Sequence, residues 1–284
     1  VERACGQIDS SFDEKRGGFS EAPKFPHAPG LDLLHEVGNT LDIEKSERAR
    51  LMLDMTLSGI SCGGIFDHLG GGFFRYSVDR DWTIPHFEKM LYDNGLLLSL
   101  FTERAKALDS SWFQTVVNRS ADWLVNEMQL ESGGICTSMD ADSEGEEGVF
   151  YTWSEEDLKN LKDAYSDNFA ATYGLNADAN FNGRWHLRIS PPKPMEPKID
   201  SPSIEQEEES RTNLIEMRRQ RKQPFRDDKV LVSWNALAIK GLALAGAMLN
   251  REDYIDAAEK AINYIQRVHW SRGRLLSTSR NEKA

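Results

Sequence analysis

Cysteine is scarce in this chain of 284 residues, and the three present, Cys5, Cys62 and Cys136, lie far apart. An odd number with no Cys-x-x-Cys spacing excludes a disulfide framework and a zinc ribbon, so no metal is expected and a reducing, cytoplasmic setting is the simplest reading. Uninterrupted apolar runs of membrane-spanning length are also missing. The greasiest stretch, 231–249, is broken by Ser233, Asn235, Lys240 and Gly241. It reads as a buried helix, and no membrane is expected as a partner. Positive charge is in deficit: 34 Lys and Arg stand against 46 Asp and Glu, a net −12. The average surface therefore repels phosphate backbones, which argues against nucleic acid. The basic cluster Arg218-Arg219-Gln220-Arg221-Lys222 follows an acidic run at 205–209. It reads as a solvated helix with its cations at the end where the helix dipole favours them. Nucleophile-elbow, P-loop, HExxH and dinucleotide-binding motifs are all lacking, so no cofactor is expected. The start, Val1 to Cys5, has no Met and no apolar signal region, which predicts a piece of a longer protein.

What is present is a globular composition, 39% apolar and 28% charged. Apolar residues recur at helical spacing over 46–60, 88–108, 112–130, 232–249 and 253–269. Short joins at 108–111 and 249–252 predict antiparallel helix pairs, with Ser110 or Ser111 as an N-cap. Glycine pairs punctuate the chain at Gly17-Gly18, Gly63-Gly64, Gly70-Gly71-Gly72 and Gly133-Gly134, with an echo at Arg272-Gly273. They suit helix ends and the extended runs that follow. Aromatic-rich runs at 73–78 and 149–153 predict small strands. The loose recurrence suggests one mainly α domain over 1–284, in which helix pairs curl into a ring and the glycine loops collect at one mouth. The proline-rich run 191–197 interrupts this, making 191–227 a linker or a peripheral excursion that includes a polar helix over 204–222.

Three clusters carry chemistry. In the first, Arg75, Tyr76, Asp79, Trp82, His86, Glu88 and Asp93 crowd into 75–94. Pro85 is a natural first residue of a helix, which would put His86, Lys89 and Asp93 on one face near its positive end. Aromatic faces with carboxylates and an imidazole suit a hydroxyl-rich ligand. The alternative is a structural network pinning loop to helix. In the second, Asp140, Asp142, Glu144 and Gly145 partly match a calcium loop, but its last ligand position falls on Tyr151. A carboxylate pair for acid/base work is the functional alternative, with Tyr151 and Trp153 beside it. Glu146 and Glu147 read as a solvated turn. In the third, Asp228, Lys229, Trp234 and Asn235 open an apolar helix, where Trp234 could be core and Asn235 a cap.

The strings 17–26 (GGFSEAPKFP), 63–94 (GGIFDHLGGGFFRYSVDRDWTIPHFEKMLYDN), 140–153 (DADSEGEEGVFYTW) and 227–243 (DDKVLVSWNALAIKGLA) resemble the spermatogenesis-associated, thioredoxin-like proteins and their bacterial relatives of the YyaL type. The resemblance implies a thioredoxin-like domain joined to an α/α toroid similar to six-hairpin glycosidases and acylglucosamine epimerases, with short β-hairpins at the loop mouth. The thioredoxin-like domain is absent from this chain, and the toroid would be incomplete. The resulting expectation is a pocket for a sugar-like small molecule, acting as an epimerase or a glycoside hydrolase. His86, Glu88, Asp93 and Asp142 would be catalytic. Arg75, Tyr76, Asp79, Trp82, Asp140, Tyr151, Trp153, Asp228, Lys229, Trp234 and Asn235 would bind substrate. The alternative is a non-catalytic binding or scaffold module that partners a thioredoxin-like domain.

Overall fold

The computed structural model describes residues 2–40, 42–161, 163–189 and 204–284. Among them the helices, in chain order, are α1 (Glu2–Ser10), α2 (Ala28–Gly38), α3 (Ile43–Cys62), α4 (Leu91–Leu108), α5 (Ser111–Trp123), α6 (Glu155–Asn160), α7 (Asp167–Tyr173), α8 (Ile204–Arg219), α9 (Val232–Leu249) and α10 (Glu252–Tyr264). Strands are two-residue segments, paired antiparallel in twos or in one three-stranded ladder. This is the mainly helical class with short β-hairpins that the sequence predicts. The described chain divides into two compact units. Unit 1 comprises 1–70, 74–87 and 141–224; unit 2 comprises 71–73, 88–140 and 225–284. The proline-rich part of the expected excursion lies outside the described residues.

Unit 2 is built from two copies of one design. The helices α4 and α9 are each 18 residues long and end on a left-handed residue, Asp109 and Asn250. After each turn comes a 13-residue helix, α5 or α10, which runs into a five-residue π-turn, Leu124–Met128 or Ile265–His269. As predicted, Ser110 caps α5, accepting from Phe113 N–H. The fourth residue of α4 and of α9 is an asparagine, and the two make the same bonds. Asn94 Oδ1 accepts from Phe73 N–H (2.7 Å), while its Nδ2 donates to Phe73 O (2.9 Å) and Met90 O (2.8 Å). Asn235 Oδ1 accepts from Ile135 N–H (2.9 Å), while its Nδ2 donates to Ile135 O (2.9 Å) and Leu231 O (3.0 Å). Each carboxamide thus closes the residue after a glycine pair, Gly71-Gly72 or Gly133-Gly134, onto the helix start. The loose repeat seen in the sequence is, in this unit, a regular one.

The helices α4 and α9 cross closely because small residues face each other. A Cβ on Gly95 would come within 2.6 Å of Ala238 N. Phe101 fills the core beside them, stacked on Phe73 at 5.2 Å and edge-on to Phe113 at 5.1 Å. The helix α9 does not meet the expectation of a buried helix. It is long and apolar enough to cross a membrane, yet only 33% of it is buried. Its buried face, Asn235, Ala238, Gly241, Leu242, Ala245 and Gly246, packs on α4 and α10, while Leu237, Ile239 and Leu244 remain partly exposed.

Unit 1 holds α1–α3 and α6–α8. Its core gathers Leu69, Trp153, Phe169, Tyr173, Leu187 and Leu214. A second cluster joins Phe74, Phe87, Ala141, Phe150 and Tyr151. The basic cluster is not the solvated helix end that was expected. Arg218 forms a buried two-pronged pair with Asp67 (2.8 and 3.0 Å). Arg221 donates to the carbonyls of Val149, Phe150 and Thr152 and lies 4.1 Å over the Trp153 ring. Those bonds hold 149–153 as a turn that reaches Trp185 through the single bridge at Trp153, in place of the expected strand. Elsewhere in the unit Lys24, with no exposed surface, pairs with Asp13 at 2.9 Å. Burial pushes the Asp13 carboxyl up, but hydrogen bonds from Lys24, Arg80 and the Lys15 backbone outweigh it and hold the group well below the usual range.

Two measurements test this packing. Gly95→Ala gains helix propensity of about 1 kcal/mol, but the clash with Ala238 reverses the sign and stability falls by about 1–3 kcal/mol in denaturant unfolding. Asp13→Asn strands the buried Lys24 ammonium and costs about 3 kcal/mol at neutral pH. Because Asp13 is depressed when folded, its contribution is present above the unfolded carboxylate value of about 4 and is lost as pH falls through the folded value. The variant's deficit therefore shrinks in acid.

Candidate functional site

The loop before His86 is tied to itself. The Asp79 carboxylate accepts from the backbone N–H groups of Asp81 (2.7 Å), Thr83 (3.1 Å) and Ile84 (2.7 Å). Trp82 adopts a left-handed backbone (φ 59°) and turns its ring inward, where the indole N–H donates to Arg16 O at 3.1 Å. The chain then returns as Pro85–His86, paired with Tyr76–Ser77 so that Tyr76 lies opposite His86. This corrects the expectation that Pro85 opens a helix. The helix α4 starts at Leu91, so His86, Lys89 and Asp93 do not share a helical face. Lys89 instead donates to Gly71 O at 2.7 Å, within unit 2.

His86 is half-buried and oriented by a carboxylate. Its Nδ1 donates to Glu147 Oε1 at 2.6 Å, and Glu147 also accepts from Phe87 N–H at 3.3 Å. A carboxylate only accepts, so Nδ1 carries a proton and Glu147 fixes the orientation of the ring. The Tyr76 ring stacks on the imidazole at 5.1 Å and 22°. Phe25 also packs against Tyr76, with ring centroids 4.6 Å apart. The result is a partly exposed aromatic row ending at a histidine–carboxylate pair.

Glu147 is delivered by a hairpin, Asp142–Ser143 with Glu146–Glu147, in which Asp142 lies opposite Glu147. Its turn, Glu144-Gly145, uses positive φ at both residues (60° and 85°), the geometry of a tight two-residue β-turn. Ser143 Oγ anchors the hairpin by donating to Lys222 O at 2.6 Å. Gly148 allows the close approach, since a Cβ there would fall 2.5 Å from the Phe87 ring. The acidic run is therefore a hairpin, not a calcium loop, and no group of metal-ligating side chains occurs among the described residues.

Unit 1 brings together Tyr76, His86 and Asp142 from the expected residues. Arg75 is the half-buried neighbour of Tyr76, while Trp82, Tyr151 and Trp153 are buried. Glu147 and Phe25 were passed over. The separation of 61 residues between His86 and Glu147 leaves no local pattern to find the pair by. Glu88, Asp93, Asp140, Asp228, Lys229, Trp234 and Asn235 belong to unit 2. Glu88 is half-buried and Asp93 is buried on the first turn of α4. The Asp140 N–H donates to Phe225 O in the three-stranded ladder of 89–90, 138–139 and 226–227. Asp228 pairs with Arg226 at 2.9 Å and Lys229 with Asp227 at 2.9 Å. Trp234 packs edge-on to Tyr92 at 4.8 Å. Asn235 is the loop strap described above, bonded to Ile135 and to Leu231 O.

No family model matches the chain. It is 33% identical to the uncharacterized protein B0495.5 of Caenorhabditis elegans over 90% of this chain. Spermatogenesis-associated protein 20 is 29% identical in Homo sapiens and 30% in Mus musculus, each over 97% of this chain. The chain spans 39% of the length of these relatives. Among solved structures it is similar to a sugar epimerase from a ruminal bacterium, with TM-score 0.42 and 11% identity over 98% of this chain and 88% of that one. It is similar also to cellobiose 2-epimerase from Bacillus thermoamylovorans B4167, with TM-score 0.40 and 11% identity over 97% and 88%. Likeness at that level carries no argument about the reaction.

The thiols offer a check on the packing around these sites. Burial pushes Cys62 and Cys136 up to about 12, with Asp228 adding to the shift at Cys136. At pH 8 an alkylating reagent therefore modifies Cys5, which is partly exposed, and spares the other two until denaturant is added. Mass spectrometry after timed alkylation reads the difference.

Proposed function

We propose that this chain, a relative of spermatogenesis-associated protein 20, carries a sugar-handling site whose proton acceptor is His86. The observation that supports it is the His86–Glu147 pair: Nδ1 is held at 2.6 Å by the carboxylate beside a partly exposed aromatic row. The chemistry that such a base fits is epimerisation of an open-chain reducing sugar. Nε2 takes the proton from the carbon next to the carbonyl, and the C–H electrons move into an enediolate. Return of a proton to the opposite face inverts the carbon. Glu147 stabilises the imidazolium while the proton is held. Asp142, opposite Glu147 on the hairpin, is the carboxylate assigned here as the second acid. Tyr76 and Phe25 supply apolar faces for the sugar. Glycoside hydrolysis needs two carboxylates set for an acid and a nucleophile or base, and a histidine as the central group fits it less well.

A second reading is a non-catalytic module that partners a thioredoxin-like domain. It is favoured by how many of the expected site residues are spent on holding loops: Asp79 on its own turn, Trp82 on Arg16 and Asn235 on Ile135. Solvent exchange separates the two readings. Incubated in D2O with unphosphorylated reducing aldoses, the protein exchanges the proton next to the carbonyl, seen as loss of its NMR signal. His86→Gln slows this by about 100-fold or more, and Glu147→Gln by less. Exchange that is equal in wild type and His86→Gln, or absent with every aldose tried, rejects the catalytic reading and leaves the module.

A further inference from the structure

Unit 2 contains a cavity of about 680 Å³ at the ends of its two repeated helix pairs. It is lined by the segment after the first π-turn, Gln129 to Ser132, by Arg226 and Asp228, by Tyr264, and by Asn281 and Glu282. Its size is that of a small-metabolite site. The lining is mostly polar, with Leu130 the principal apolar side chain and Tyr264 buried behind the wall. A greasy ligand gains little from it.

The polar groups are set in advance. Arg226 Nε donates to Asp228 Oδ1 at 2.9 Å, and its Nη1 donates to Glu127 O at 2.8 Å. Cys136 Sγ donates to the same Asp228 oxygen at 3.4 Å. These bonds use Nε and Nη1 of Arg226 and Oδ1 of Asp228, and leave the Nη2 donor and the Oδ2 acceptor on side chains that are already fixed. Tyr264 is braced from behind by Ser279, which is in turn bonded to the buried His269 at 2.9 Å. Across the rim, Arg267 donates to Ser132 O (3.2 Å) and to Glu282 (3.3 Å), tying two walls of the cavity together.

We infer that this cavity binds a small neutral polyol or sugar, with vicinal hydroxyls clasped by the Arg226–Asp228 pair. A diol presents an acceptor and a donor side by side, which matches the donor and acceptor left open. Charge narrows the class further. Two guanidiniums, Arg226 in the wall and Arg267 at the rim, are paired with Asp228 and Glu282, and the third carboxylate, Glu131, leaves an excess of negative charge, so phosphorylated and carboxylated sugars are disfavoured. The site is separate from His86 and does not rest on the reading given to it.

Calorimetric titration of the whole chain with D-glucose, myo-inositol and D-glucose 6-phosphate tests it. The neutral ligands bind in the millimolar range, and the phosphate ester binds at least about tenfold more weakly. Asp228→Asn weakens the neutral ligands by about tenfold or more. Glu131→Gln, a change to an exposed side chain outside the Arg226 network, weakens the discrimination against the phosphate ester while keeping the fold. His86→Gln leaves the affinity for myo-inositol, which has no carbonyl for the His86 site, as it is. The inference is overturned if neither neutral ligand binds up to about 10 mM, if the phosphate ester binds as well as glucose, or if His86→Gln rather than Asp228→Asn removes binding. The last outcome would move the sugar to the His86 site and leave that proposal standing.

Discussion

A backbone amide that turns away from helix or sheet still needs a partner, and in unit 2 the same side chain provides it twice. Asn94 and Asn235 have a donor and an acceptor on one rigid plane, so each satisfies both the N–H and the C=O of a loop residue and also reaches a carbonyl at its own helix start. Both are buried, where an unmade hydrogen bond is most costly. The glycine pairs before Phe73 and Ile135 let the loops come close enough for this. The result is a helix start that fixes where the glycine loop lies, once per helix pair. The cavity of unit 2 is bounded by the segment after Met128, by Arg226 and Asp228, and by the turn after Ser279.

Unit 1 uses the same economy with charged side chains. Asp79 collects three backbone donors, Asp67 receives a two-pronged arginine, and Arg221 gathers three carbonyls. These bonds replace regular secondary structure where the chain has little of it. They bring two short hairpins side by side, one presenting His86 and the other Glu147. The pair is a local event that depends on remote support: Gly148 against Phe87, Ser143 against Lys222, and Trp82 turned into the interior.

The helices were legible because burying one face imposes a period on the sequence. The span 232–249 was read to the residue, and the cap was narrowed to Ser110 or Ser111, of which Ser110 makes the bond. The start of α4 was misplaced because Pro85 looks like a first helical residue, and only pairing with Tyr76–Ser77 makes it a strand. The run 149–153 looked like a strand because its aromatics have that propensity. Arg221 overrides the propensity by taking the carbonyls that a neighbouring strand would have used. The cations of 218–222 looked solvated because the sequence shows no partner for them, and Asp67 is 151 positions away from Arg218.

The sequence by itself determined the helix pairs, their caps and turns, the scarcity of basic surface and the segments rich in polar groups, since each follows from periodicity, composition or a residue's own backbone preference. Which of those polar groups meet was decided by tertiary structure. Asp79, Trp82 and Asn235 were drawn into holding loops, whereas Glu147, which looked like a solvated turn, was placed on His86. The reason is physical: a hydrogen bond is specified by position and direction within a few tenths of an ångström, and residues 61 apart acquire that relation only when the strands between them have paired.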